Sequence, residues 1–491
     1  MTKQLTISFI FFGLALNFAY LVIFPESIES DGLEMFVLAR TSVFSFLILH
    51  LMIVLLYKTP FSLISIFNLF VWLFAYGKVI LYVLGMQDAL FELFTFHTER
   101  LEAIYIMKVL IGANICVLSI HLAYILFYRN KSITQACQTK GKSNILGTIS
   151  QSHLKYAFLF LLAASVLFGF KAFLELRHIQ KIGYAQFYIG GLGDLNYYSP
   201  IIKYSHYLFF STCYFVLASR PPRRKFIIVA VLFLIVTFLD GLKGARVLFI
   251  LPLFYLIWFY LKFYYTSGNV WKATAIGVLI FLSIGVFAEI MKNNRSVGIE
   301  NMKLEISSIP VSILQETGKT LQIAGLFAKY EESMQQSSVP YFLEPLVYPY
   351  LYFRNYGTMT GGQSEDLVKV RPSLNHQLTY YMSPSYYLSG GGLGSTIFSE
   401  LYQLGYFFLF IVSLIIGRLI ASLSNNLELR LVLFLSPILV QHVFFIARES
   451  PFPNLLGIIK YIIIYFLIRL LIVLFDILSH RPSQGESASP Q

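Results

Sequence analysis

The chain has 491 residues, 57% of them hydrophobic and only 13% charged, against roughly 25% charged in soluble domains. That deficit excludes a soluble globular protein. The formal net charge of +12 would suit nucleic acid, but the lysines and arginines gather in short links between apolar runs, a pattern that orients membrane helices.

Apolar runs of about 20 residues match the hydrocarbon thickness of a bilayer at about 1.5 Å per residue. They predict an all-α fold, a polytopic integral membrane protein of about twelve spans. These lie near 5–24, 38–57, 61–85, 105–128, 154–174, 201–219, 225–239, 245–264, 272–290, 394–420, 429–447 and 454–476. No small-residue cleavage site precedes Pro25, so the first run reads as a retained span. The chain divides into a membrane bundle over 1–290, a large polar excursion over 291–393, three C-terminal spans over 394–476 and a tail over 477–491. The tail, rich in Ser and Pro, reads as disordered.

Lys58, the run from Arg129 to Lys155, Arg220 to Lys225, Lys262 with Lys272, and Arg418 with Arg430 fall on one side of this plan. The acidic links PESIESDGLE and QDALFELFTFHTERLE fall on the other. The basic side is expected to be cytoplasmic, which puts both termini inside and 291–393 on the periplasmic side. Cys116 and Cys213 lie in spans and Cys137 in a basic loop, with no zinc or disulfide spacing.

Four features on the outer side carry chemistry. Between two middle spans, Asp240-Gly-Leu-Lys243-Gly-Ala-Arg246 offers a tight turn with two cations. The planar fork of Arg246 suits a phosphate and Lys243 adds a point charge; the alternative is a turn that pairs with Asp240. Arg177, Arg295, Arg354, Arg371 and Arg448 oppose the positive-inside bias, and anion binding would explain at least two of them. Tyr348, Tyr350, Tyr352 and Tyr356 surround Arg354 and offer flat faces to sugar rings.

His376, the only histidine in the excursion, is a candidate base, with Asn375 and Gln377 beside it for sugar hydroxyls. Glu400 follows a glycine-rich turn and a candidate helix cap at Ser395. Burial should raise its pKa and suit it to accept a proton; an ion pair with an outer arginine is the equal alternative. No GxxxxGK[ST], HExxH or metal-spaced run occurs. Nor do several spans carry a central charge, which weakens a coupled-transporter reading.

At the KGAR turn and at NHQLTYYMSPSYYLSGGGLGSTIFSELYQLGYFFLF the chain resembles bacterial Wzy-type polymerases of O-antigen and capsular repeat units. They share a small-residue–Arg turn, a large late periplasmic loop and a glycine/serine-rich lead into E-L-Y-x-x-x-G, here Glu400, Leu401, Tyr402 and Gly405. The resemblance implies a fold similar to the GT-C membrane glycosyltransferases. It implies inverting transfer of a growing glycan from undecaprenyl diphosphate to a lipid-linked repeat unit, with no metal and no other cofactor.

Arg246 maps onto the arginine of the family's turn, whereas Arg295 and Arg354 match no strict motif. The implied substrate is an undecaprenyl-diphosphate-linked oligosaccharide. Membrane lipids and a chain-length regulator are the expected partners, and nucleic acid is not. The same features suit an O-antigen ligase, and a lipid-linked oligosaccharide flippase is the alternative from another class.

Overall fold

The structure, a computed structural model, describes residues 2–23, 33–57, 61–86, 90–91, 101–129, 151–182, 202, 204–242, 247–265, 309–334, 337, 339–360 and 362–479. All regular structure among them is helical. The first half runs through α1 (Thr2–Ile23), α2 (Leu33–Tyr57), α3 (Leu63–Phe74), α4 (Gly77–Val83), α5 (Ala103–Phe127), α6 (Gln151–Ile182), α7 (Ser205–Ala218), α8 (Arg223–Gly241) and α9 (Val247–Phe263).

A run of short helices follows: α10 (Ile309–Thr317), α11 (Thr320–Tyr330), α12 (Glu344–Arg354), α13 (Tyr356–Thr360), α14 (Glu365–Val370), α15 (Leu374–Met382), α16 (Pro384–Leu388) and α17 (Ile397–Tyr402). Long helices return as α18 (Gly405–Asn426), α19 (Arg430–Phe445) and α20 (Leu455–Ser479).

Among the described residues, seven helices are long and apolar enough to cross a bilayer, or eight if α3 and α4 form one broken span. Helices also form at the predicted spans near 201–219, 225–239 and 245–264, but α7 and α9 are shorter. The α8 helix opens on Arg223, Arg224 and Lys225. The predicted span 272–290 lies outside the described residues.

Helix α5 is the axis of the bundle. It is apolar all round, and Ile106–Ile125 is buried almost without interruption, as expected of a helix enclosed by others. Its main partner is α18, which runs parallel to it in constant register. The Tyr406 hydroxyl donates to the Lys108 carbonyl, Ser413 Oγ to Cys116 Sγ at 3.1 Å, and Asn425 Nδ2 to the Phe127 carbonyl at 3.0 Å. Gly417 makes the approach possible, since a Cβ there would lie 2.2 Å from the Ile120 carbonyl oxygen.

The apolar run 61–85 is not one straight span. It bends by 61° between α3 and α4. A second break, between α10 and α11, packs into the first. Gly77 and Gly318 face each other, and a Cβ on Gly318 would lie 2.4 Å from the Leu314 carbonyl oxygen and 2.6 Å from the Lys78 amide. The Thr317 hydroxyl donates to the Leu73 carbonyl at 3.3 Å, beside the bend. Beyond it, Thr320–Phe327 is wholly buried against α5. Part of the expected polar excursion is therefore bundle core: the local segment LQIAGLF is apolar, although the whole stretch is not.

The two ends of the bundle differ in charge. At one end the Arg129 amide donates to Asn425, Arg220 Nη2 donates to the Leu427 carbonyl, and Lys262, Glu428 and Arg430 lie within electrostatic reach of Arg220. These basic links, scattered in sequence, share one end as the alternation of links predicts. The short helices α12–α17 sit at the other, against the start of α20 and the turn that follows α19.

Candidate functional site

Short helices need caps because so few of their backbone amides find partners within the helix. Ser364, Ser383 and Thr396 each accept a hydrogen bond from the amide three residues on and so start α14, α16 and α17. The cap of α17 is thus Thr396, one residue after the expected Ser395. Asn375 and Thr379 fasten the glycine-rich turn before α17: Asn375 Oδ1 accepts from the Gly394 amide at 2.7 Å and Thr379 Oγ1 from the Leu393 amide at 3.0 Å. Gly394, at φ +90°, takes a backbone conformation that side chains disfavour. Gln377 accepts from the Tyr341 hydroxyl at 2.6 Å. Asn375 and Gln377, expected to meet sugars, each commit their side-chain oxygen to the scaffold.

That scaffold supports a polar chain across α12, α14, α15 and α16. Arg371 Nε donates to Glu344 Oε1 at 2.7 Å, and Arg371 Nη1 lies 3.0 Å from His376 Nε2. A guanidinium can only donate, so Nε2 accepts and the proton of a neutral His376 sits on Nδ1, 2.8 Å from the Tyr387 hydroxyl. Burial, reinforced by Arg371, pushes the His376 pKa down to about 3, so the ring is neutral at physiological pH. The Arg371 guanidinium also lies 5.0 Å from the centroid of the Tyr348 ring.

Glu400 on α17 is 4% exposed. Ser395 donates to its Oε1. Burial pushes its pKa up to about 7, opposed by Ser395 and Ser450 and reinforced by Glu344 and Glu449. Among the described residues, neither Glu400 Oε2 nor Ser450 Oγ has a partner of hydrogen-bond geometry. Arg448, two residues before Ser450, lies over the Phe74 ring at 5.8 Å. The site thus contains a raised-pKa carboxyl with a free oxygen, within electrostatic reach of the Glu344–Arg371–His376 chain.

Arg354 is exposed, donates to Tyr350 of its own helix at 3.0 Å, and sits about 15 Å along α12 from Glu344. On another face of α12, Tyr348 and Tyr352 are partly buried, and Tyr356 continues their line beyond the helix. The ring centroids are 5.9 Å and 5.3 Å apart. Lys460, near the start of α20, lies 5.5 Å from the Tyr352 ring and 5.4 Å from Tyr207. Lys243, Arg246 and Arg295 lie outside the described residues. Glu344 was missed in the sequence: it is 27 residues from Arg371, and no spacing links them.

Truncating Glu344 should leave Arg371 partly buried and uncompensated. Because Arg371 keeps some exposure, Glu344→Ala should cost about 1–2 kcal/mol rather than the larger penalty of a fully buried pair. In a double-mutant cycle, Glu344→Ala with Arg371→Ala should cost less than the sum of the single variants, as read from melting temperatures in detergent. Additivity would show that the pair is not coupled.

One family model, described as O-antigen polysaccharide polymerase Wzy, matches residues 5–477. No curated protein and no solved structure matches the chain.

Proposed function

The chain belongs to the O-antigen polysaccharide polymerase Wzy family, and from that premise we propose that it lengthens a glycan at the periplasmic face of the bacterial inner membrane, by a GT-C-like inverting transfer. The growing chain leaves undecaprenyl diphosphate and joins a lipid-linked repeat unit. The observation that carries this reading is Glu400, a buried carboxyl with one free oxygen, beside an arginine network at the end of the bundle opposite the basic links.

Glu400 takes the proton of the acceptor hydroxyl as that oxygen forms its bond to the anomeric carbon. The bond from that carbon to the diphosphate breaks, and the lipid diphosphate departs with its charge. Arg371 and Arg448, among the described residues, meet that charge, and Arg246, Lys243 and Arg295, which lie outside them, are assigned the same role from the sequence alone. Each charge-assisted bond contributes about 1.5–3 kcal/mol. His376 positions Arg371 rather than serving as the base, because its free lone pair faces the guanidinium. The tyrosine line from Tyr348 to Tyr356, flanked by Lys460 and Arg354, gives the glycan a surface leading away from Glu400.

The purified full-length protein, given lipid-linked single repeats, should produce a ladder of longer glycans. Failure to do so under conditions where the protein is folded would refute polymerisation. In cells, Arg246→Ala should insert normally, lose long-chain glycan and accumulate single repeats. Arg246→Lys should fail too, if bidentate contact with the diphosphate is what counts. Full polymer left on the lipid would indicate a ligase, and repeats trapped on the cytoplasmic leaflet a flippase.

A further inference from the structure

A groove of about 290 Å³ runs between α18 and α19, lined by Leu419, Leu423, Leu439, Val443, Pro451 and Phe452 among others. Its lining on α18 spans Ile416 to Asn426, about 15 Å of helix. Leu419 is 52% exposed, so the groove opens sideways toward lipid. The polar side chains in its lining sit mainly toward the ends. Ser422 and Asn426 bond to each other at one end, and His442 lies at the other, 3.3 Å from the Pro451 carbonyl and 3.7 Å from Glu449.

The segment from Ile446 to Pro453 links this groove to the site. Ile446 and Pro451 to Pro453 line the groove. Between them, Arg448 turns to Phe74 and Ser450 lies beside Glu400. Arg448 and Ser450 do not line the groove, but they sit in the chain between its lining residues Ile446 and Pro451, so a chain lying in the groove ends beside the segment that carries this cation and reaches the proposed base. An apolar slot that leads from the lipid to an arginine and a buried carboxyl suits one kind of molecule, a long hydrocarbon chain carrying a phosphate at its end.

We propose that this groove holds the first isoprene units of the polyprenyl chain of the lipid-linked substrate, so that its diphosphate emerges at Arg448. The inference rests on the polymerase reading for the identity of the lipid, but the groove is testable without turnover. Leu419→Trp and Leu439→Trp place bulk in the groove at positions that are not fully buried. Ile463→Trp, on the lipid-facing side of α20 and 55% exposed, is the control.

Retention of undecaprenyl diphosphate by the full-length protein in detergent, read by native mass spectrometry against phosphatidylglycerol, should fall about tenfold in both groove variants and stay unchanged in the control. In the polymerisation assay the same variants should raise KM about tenfold for repeats on undecaprenyl diphosphate. KM for repeats on a methyl diphosphate, which carries no chain to lie in the groove, should not change, nor should kcat for either substrate. Wild-type retention of undecaprenyl diphosphate by both groove variants would overturn the proposal. So would a preference of the unmodified protein for phosphatidylglycerol. Lipid retention that falls as expected in a protein that never polymerises would uphold the groove and sink the polymerase reading.

Discussion

Glu400→Gln should remove polymer almost completely, with a loss of about 10²–10⁴-fold in the rate of glycan extension. The substitution keeps the size of the side chain and can still accept from Ser395, so the protein should remain folded. Lipid-linked single repeats should accumulate, as read by gel ladder. In the unmodified protein a base whose pKa is pushed up to about 7 makes activity rise with pH through neutrality and level off above it. That limb should vanish in Glu400→Gln. It should persist in His376→Gln, because His376 is already neutral across the range, although a displaced Arg371 should lower kcat. A limb near pH 7 that moves with His376 instead would reassign the base.

The same residue makes a stability prediction with a definite sign. A carboxyl raised from 4.5 to about 7 on folding binds more protons in the native state than in the unfolded state between those values. Stability must therefore fall as pH rises from about 4.5 to about 7 and change no further above it. Glu400→Gln should flatten this contribution. Melting temperatures in detergent between pH 5 and 8 would show it.

Gly417→Val should be the most destabilising single change in the bundle. A Cβ at Gly417 would meet the Ile120 carbonyl oxygen at 2.2 Å and the Ala123 Cβ at 2.9 Å. The first is backbone of α5 and cannot swing aside, so α18 must back away along its length. Overpacking a core usually costs about 1–3 kcal/mol, and a clash with main chain at this distance should exceed that range. The expected result is little folded protein on size exclusion. Gly169→Ala, with nothing within 4 Å of the added Cβ, should be close to neutral. Equal behaviour of the two variants would mean that the close approach of α5 and α18 is not what holds them together.

Much of this was legible in the residues. Apolar runs marked the long helices, and the scattered basic links foretold one charged end. Glu400 stood out because a carboxylate just inside an apolar run needs a reason. What escaped was whatever depends on residues that share no period. Glu344 and Arg371 meet only because the fold brings the start of α12 to the residue that follows α14. The bend between α3 and α4 hides in a continuous apolar run, since Gly77 matters only through Leu314 and Gly318, 237 and 241 residues later. The buried stretch of α11 was masked by the polar residues on either side of it. Asn375 and Gln377 looked like sugar ligands because an amide's chemistry does not reveal whether a backbone amide or a neighbouring tyrosine already occupies it.

The parallel pairing of α5 with α18 sets the order in which the molecule can be made. Ser413 meets Cys116 across 297 residues of chain. At about 5–20 residues per second of synthesis, α5 waits roughly 15–60 s in the membrane before its main neighbour exists. Until then the face of α5 that α18 will cover lies open to lipid or to the insertion machinery. Assembly of the core is thus a late event, after nearly the whole polypeptide has left the ribosome. A nascent chain halted before Gly405 should expose α5 to a membrane-embedded protease that the finished protein resists.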